Sequence, residues 1–212
     1  MKLLKIQEAG RSMIEMLGVL AIVGILSVGG ISGFSKAMKK HKYTKLASEY
    51  SMLIQDLIRY KDDFVRTKKS QGDGSETLFI AQYIAAAGLM PQGWSQSDVI
   101  LYDSVKNNVR PFIRNHSNRL VLDYRLKTEN DEKGQEDLCR LMILEVLKPY
   151  GNDVYTIWVY RGEENNGGGV IYGDNFCSKE HLCIKDASIS DIQALCSTCL
   201  VENGCLLAIE FS

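Results

Sequence analysis

Proline is scarce in this chain. The three present are Pro91, Pro111 and Pro149, so none interrupts a helix before Pro91. Cysteine is missing from the whole first part, because the six stand at Cys139, Cys177, Cys183, Cys196, Cys199 and Cys205. A disulfide framework therefore belongs to the C-terminal part alone, and only if that part leaves the cytoplasm. Net charge is almost absent, a formal -1, which removes any global electrostatic case for a nucleic-acid partner. Histidine is rare, and His41, His116 and His181 are scattered. No Ser–His–Asp or paired-carboxylate constellation stands out. The run Asn165-Asn166-Gly167-Gly168-Gly169 lacks the Lys-Ser/Thr of a phosphate loop and reads as a turn between strands. The expectation is a protein that is not an enzyme and needs no cofactor.

What is present begins with a long apolar run, MIEMLGVLAIVGILSVGGISGF, from Met13 to Phe34, whose one charge is Glu15. At about 1.5 Å per residue, a helix of that length crosses a hydrocarbon core of about 30 Å. A cytosolic core helix would ordinarily be shorter. A cleaved secretory signal would use Lys2 and Lys5 as its charged region and Ser35 and Ala37 at its cleavage site. Such signals have apolar regions of about 7–15 residues, whereas this run is longer, holds a carboxylate and carries Gly18, Gly24, Gly29, Gly30 and Gly33. Glycine weakens a soluble helix by about 1 kcal/mol relative to Ala. In membrane helices it is better tolerated and allows close helix approach. Gly29-Gly30 would alternatively mark local melting.

The residues MKLLKIQEAG precede Arg11, Ser12, Met13, Ile14 and Glu15. A short basic leader ending in Gly10, a carboxylate five residues beyond it and a continuing apolar run resemble the type IV prepilin signature. Arg11 stands where members of that family usually carry Phe or Met. The resemblance implies cleavage between Gly10 and Arg11 on the cytoplasmic side by a prepilin peptidase, with N-methylation of Arg11. It also implies that Glu15 pairs with the new α-amino group of a neighbouring subunit and so sets the axial stagger of a filament. A carboxylate at membrane depth costs roughly 2.5–3.5 kcal/mol on insertion scales, so a partner is expected for it. Ser12 and Glu15 also suit a local capping box, and a hydrated, passive Glu15 at the interface is the bland alternative.

Beyond the apolar run, Leu46, Tyr50, Leu53, Leu57, Tyr60 and Phe64 recur at helical spacing. The pattern predicts one continuous helix from about Ser12 to Arg66, whose second half buries a face. Residues 71–75 read as a loop, 76–90 as a short helix, and 91–117 as irregular chain punctuated by Pro91, Gly93 and Pro111. Leu120, Leu122, Tyr124 and Leu126 alternate as in a strand. A helix at 136–148, with Leu138, Leu141, Met142 and Val146 on one face, precedes strands at about 153–161 and 169–173. A short helix at about 188–196 and a last strand at 205–211 follow. The fold class expected is α+β, with the long N-terminal helix packed against an antiparallel-sheet head in a pilin-like arrangement. Its layout resembles the type IVb pilins. The expected organisation is a leader at 1–10, a transmembrane and assembly half-helix at 11–35, and an exported head at 36–212.

Cys196 and Cys199 form a C-x-x-C that, with Cys177 and Cys183, would suit a four-thiolate zinc site or a redox pair. Structural disulfides are the favoured reading, with no metal. Six cysteines allow fifteen pairings. The set chosen is Cys139–Cys196, which would tie the middle helix to the C-terminal region, with Cys177–Cys183 and Cys199–Cys205 closing small loops.

The functional expectation is a structural pilin that polymerises into a type IV pilus or pilus-like filament. The alternatives are a minor pseudopilin of a type II secretion system and a non-polymerising membrane-anchored periplasmic protein. The expected partners are other copies, the prepilin peptidase, inner-membrane assembly machinery, and lipid before assembly. The expected location is a single-pass inner-membrane state, N-in and C-out, followed by a periplasmic or extracellular filament. Lys36, Lys39, Lys40, Lys42 and Lys45 pull against that orientation, since the positive-inside rule would place them in the cytoplasm.

Overall fold

The computed structural model of the protein describes residues 13–70, 76–126, 132–162, 166–178, 180–199 and 204–212. Gly10, Arg11 and Ser12 lie outside the described residues, as do the segments 71–75 and 163–165. The chain divides into two units, Met1–Lys42 and Tyr43–Ser212.

Helix α1 runs unbroken from Met13 to Ser70. It passes through Gly29-Gly30 without melting. In the first unit its large apolar side chains from Met16 on are solvent-facing: Leu20, Ile25, Leu26, Val28 and Phe34 are all exposed. In the second unit the helical stripe is buried. Leu46, Leu53, Ile54 and Leu57 are fully covered and Tyr50 nearly so, each contributing about 1.5–3 kcal/mol of burial. Tyr60, expected in that stripe, stays 38% exposed. It lines a shallow groove of about 460 Å³ with Phe64 and Thr67 of α1 and with Tyr83, Ala87 and Leu89. Lys68 in the last turn is buried and donates to the Arg114 carbonyl (2.9 Å) and Asn118 Oδ1 (3.0 Å).

The remaining elements of the second unit are β1 (Leu78–Phe79), α2 (Ala81–Ala86), β2 (Ser95–Ser97), β3 (Ile100–Tyr102), β4 (Asn108–Ile113) and β5 (Leu120–Leu126), then α3 (Glu132–Leu141). After α3 come a π turn at Met142–Leu147, β6 (Val154–Arg161), β7 (Asn166–Tyr172), α4 (Ile189–Cys196) and β8 (Cys205–Phe211). Eight strands form one sheet in the order β2-β3-β4-β5-β8-β6-β7, with β1 added to β4. Every ladder is antiparallel. The class is therefore α+β, a long N-terminal helix with its second half packed on an antiparallel sheet. The last strand in sequence, β8, lies between β5 and β6 and is buried along its whole length, as an interior strand should be.

Four expectations are corrected. Residues 91–117 are not irregular: β2, β3 and β4 lie there. Pro111 sits inside β4, opposite Leu122 of β5. Its carbonyl accepts from the Ile80 amide (3.0 Å), so its missing N–H points to the same side, away from β5. On that side β4 is paired by two short strands, β3 at Val109 and β1 from Phe112. The proline falls at the gap between them, where no ladder hydrogen bond is lost.

The helix expected at 76–90 shrinks to α2, because Leu78 and Phe79 pair with β4 and Gly88, at φ +70, ends the turn. The turn expected at Asn165–Gly169 gives way to strand, since Asn166–Tyr172 is β7. Gly168 adopts φ +130, and a Cβ there would run into the Val159 carbonyl oxygen, so only glycine fits this close pairing with β6. The helix expected at 136–148 begins earlier, at Glu132, and widens to a π turn before Pro149 ends it. Leu138, Met142 and Val146 are buried as one face, while Leu141 is half-buried.

Candidate functional site

Two features of the chain carry chemistry beyond ordinary packing. One is the first half of α1. Its apolar window has a mean hydropathy of 2.1, long and apolar enough to cross a membrane, and none of it is buried. Met16, Leu17, Val19, Leu20, Ile22 and Val23 are consecutive or nearly so, and each is more than half exposed. A helix that is apolar all round needs an apolar surrounding on all sides. Ser27 donates to the Val23 carbonyl (2.7 Å) and so satisfies itself within the helix. A Cβ added at Gly18, Gly24, Gly29, Gly30 or Gly33 would meet nothing within 4 Å. No contact among the described residues accounts for these glycines. Glu15 lies in the first turn of α1 and is exposed.

The other feature is the cross-linked head. Cys139 of α3 is joined to Cys196 of α4, with Cα atoms 5.7 Å apart. Cys177–Cys183 and Cys199–Cys205 close two short loops, at 5.6 and 4.9 Å. These are the pairs named from the sequence. All six sulfurs are used. Cys196 and Cys199 go to different partners, so the C-x-x-C is neither a redox pair nor half of a thiolate cage. His181 is exposed and stacks on Tyr172, with ring centroids 4.4 Å apart. His41 and His116 are also exposed, and His116 takes φ 54 in the β4–β5 turn.

The sequence reading missed a buried polar lock between α1 and the β3–β4 hairpin. Glu49 is only 4% exposed. Its Oε2 accepts from Trp94 Nε1 (2.9 Å) and Ser104 Oγ (2.7 Å), and Lys45 lies 3.7 Å from Oε1. Beside it, Asp103 is fully buried. Asp103 Oδ1 accepts the Val105 and Asn107 amides (2.9 and 2.8 Å), which shapes the hairpin turn. Its Oδ2 meets Tyr50 Oη, Tyr124 Oη and Asn107 Nδ2, each at 3.2 Å. Burial pushes the Asp103 pKa up, opposed by the hydrogen bonds from Asn107, Val105 and Tyr124. Burial likewise pushes the Tyr50 and Tyr124 hydroxyls well above their usual range. The rings of Tyr50 and Trp94 meet edge to face at 4.9 Å. One signal for this lock was available: Glu49 falls within the apolar stripe, three residues after Leu46 and four before Leu53. A charge in that position must be paired.

No family model, curated protein or solved structure matches the chain.

Proposed function

We propose that the chain is a structural subunit of the type IV pilin or pilin-like kind. It is cut after Gly10, held in the inner membrane N-in and C-out, and then assembled with other copies into a helical filament. The observation that carries this reading is the exposure of every large apolar side chain from Met16 to Phe34 on a helix that continues to Ser70. Such a surface suits lipid before assembly and the packed helices of a filament core afterwards. Filament growth is a heterologous contact that does not close, and glycines with open space above them allow close helix approach. Three disulfides suit an oxidising compartment such as the periplasm. The head is a structural module, and Glu15, paired with the Arg11 amine of a neighbour, sets the stagger.

Mass spectrometry of the mature N-terminus tests the reading. Cleavage leaves a chain beginning at Arg11, carrying one methyl group if the terminus is modified. A chain beginning at Met1 or Ser12 overturns it. Glu15→Ala is expected to leave the processed subunit in the membrane and to abolish filaments seen by electron microscopy. Normal filaments from that variant would remove Glu15 from the mechanism.

A further inference from the structure

The lysine cluster after the apolar run has no role in the function proposed above, and its orientation cost stands against it. Lys36, Lys39, Lys40 and Lys42 all lie on α1 in the first unit. Lys36, Lys40 and Lys42 are exposed and Lys39 is half-buried. Between Glu15 and Glu49 the helix has no acidic residue, so Lys36, Lys40 and Lys42 lack the intrahelical carboxylate at i±3 or i±4 that would neutralise them. Lys45 differs, because Glu49 lies 3.7 Å away on the next turn.

Taking about 100° per residue, the four side chains succeed one another as Lys42, Lys39, Lys36 and Lys40 over an arc of about 160°, within about 9 Å of helix. That height is close to the headgroup layer on one side of a bilayer, about 5–8 Å. The cluster starts two residues beyond Phe34, the last large side chain of the apolar run. At such a boundary a lysine stem covers apolar surface while its ammonium stays in the polar layer.

We propose that Lys36, Lys39, Lys40 and Lys42 form a binding collar for anionic phospholipid headgroups of the phosphatidylglycerol type. A spread of cations at one level of a lipid-facing helix meets phosphates along the whole arc, which a point ligand would not supply. The collar fixes the depth of the span. It also supplies local counter-charge for lysines that the positive-inside rule counts against an N-in orientation. The proposal rests on the membrane residence of α1 and not on polymerisation, so it survives a failure of the Glu15 test.

The full chain, reconstituted as a monomer in nanodiscs of equal phosphatidylglycerol and phosphatidylcholine, is extracted and its retained lipids weighed by native mass spectrometry. The wild type is expected to retain the anionic lipid over the zwitterionic one by at least about fivefold, the weight of roughly one lysine contact. The preference should fall toward unity in the variant with Lys→Gln at 36, 39, 40 and 42, and persist with Lys→Arg at the same positions. Raising salt should weaken it in the wild type, which needs no variant to fold. No preference in the wild type, or an equal preference in the Gln variant, overturns the collar. Displacement of the lipid by millimolar inorganic phosphate overturns the lipid assignment in favour of a simple anion site.

Discussion

Leu26 and Leu53 stand on the same helix, one 68% exposed and the other fully buried. The first belongs to a unit in which every described large apolar side chain faces outward. The second belongs to a unit in which the apolar stripe of α1 joins one core with β3, β4, β5, β6 and β8. Local helix propensity does not separate them, since both are leucines in unbroken α-helix. Their neighbours do. Around Leu53, charged and polar residues flank the stripe and leave one apolar face, so the helix is satisfied by a single packing partner. Around Leu26 the residues are apolar on every side, so no single face of a folded head would cover them.

The contrast is open to direct attack. Its largest consequence concerns truncation. Leu53→Ala is expected to cost the head about 2–5 kcal/mol through lost burial and the cavity left behind. Leu26→Ala should leave head stability within about 0.5 kcal/mol. Urea unfolding of the full chain in detergent, followed by tryptophan fluorescence, reads both, because Trp94 and Trp158 lie in the head. Equal losses would mean that the two units fold as one.

A charge tests the other side of the comparison. Leu26→Lys should cost about 2.5–3.5 kcal/mol of membrane insertion, seen as a fall in the carbonate-resistant fraction. An unchanged fraction would sink the span reading.

The smallest effect is a slope with pH. Asp103 has a folded pKa raised above its ordinary value of 3.8 by burial. Its folded state therefore holds a proton that the unfolded state has released. The stability this contributes is full below pH 3.8 and is lost as pH rises toward the folded pKa. Asp103→Asn should remove that slope, so the stability gap between wild type and variant should shrink steadily as pH rises from 4. A gap that is flat or widens with pH would contradict a raised pKa.

Much of the architecture was legible. The absence of proline before Pro91 and the spacing of Leu46, Leu53 and Leu57 predict a helix to about Arg66, and α1 continues one turn further to Ser70. Period-two alternation locates β5, and the expected bounds of the last strand coincide with β8. The capping residue Ser188, with its reciprocal bonds to Asp191, starts α4 where the short helix was expected. What escaped was strand structure whose cause lies elsewhere in the chain. β2 and β3 are three residues each, and β4 carries a proline but is held by its ladder with β5. β1 is two residues long and has no local signal at all. The Glu49 and Asp103 lock was equally hidden. Its carboxylates are bonded by Trp94, Ser104 and Tyr124, residues 21 to 55 positions away in sequence.

By itself, the sequence determined the elements governed by short-range physics: the apolar run, the amphipathic stripe beyond it, the alternation of β5 and the cap of α4. Each depends on a repeat or a contact within a few residues of chain. The tertiary structure alone decided which strands pair, why a proline is tolerated inside β4, and which carboxylates of the head are buried. Those outcomes are set by groups distant along the chain, whose ladder bonds and desolvation arise only once the sheet has closed on the helix.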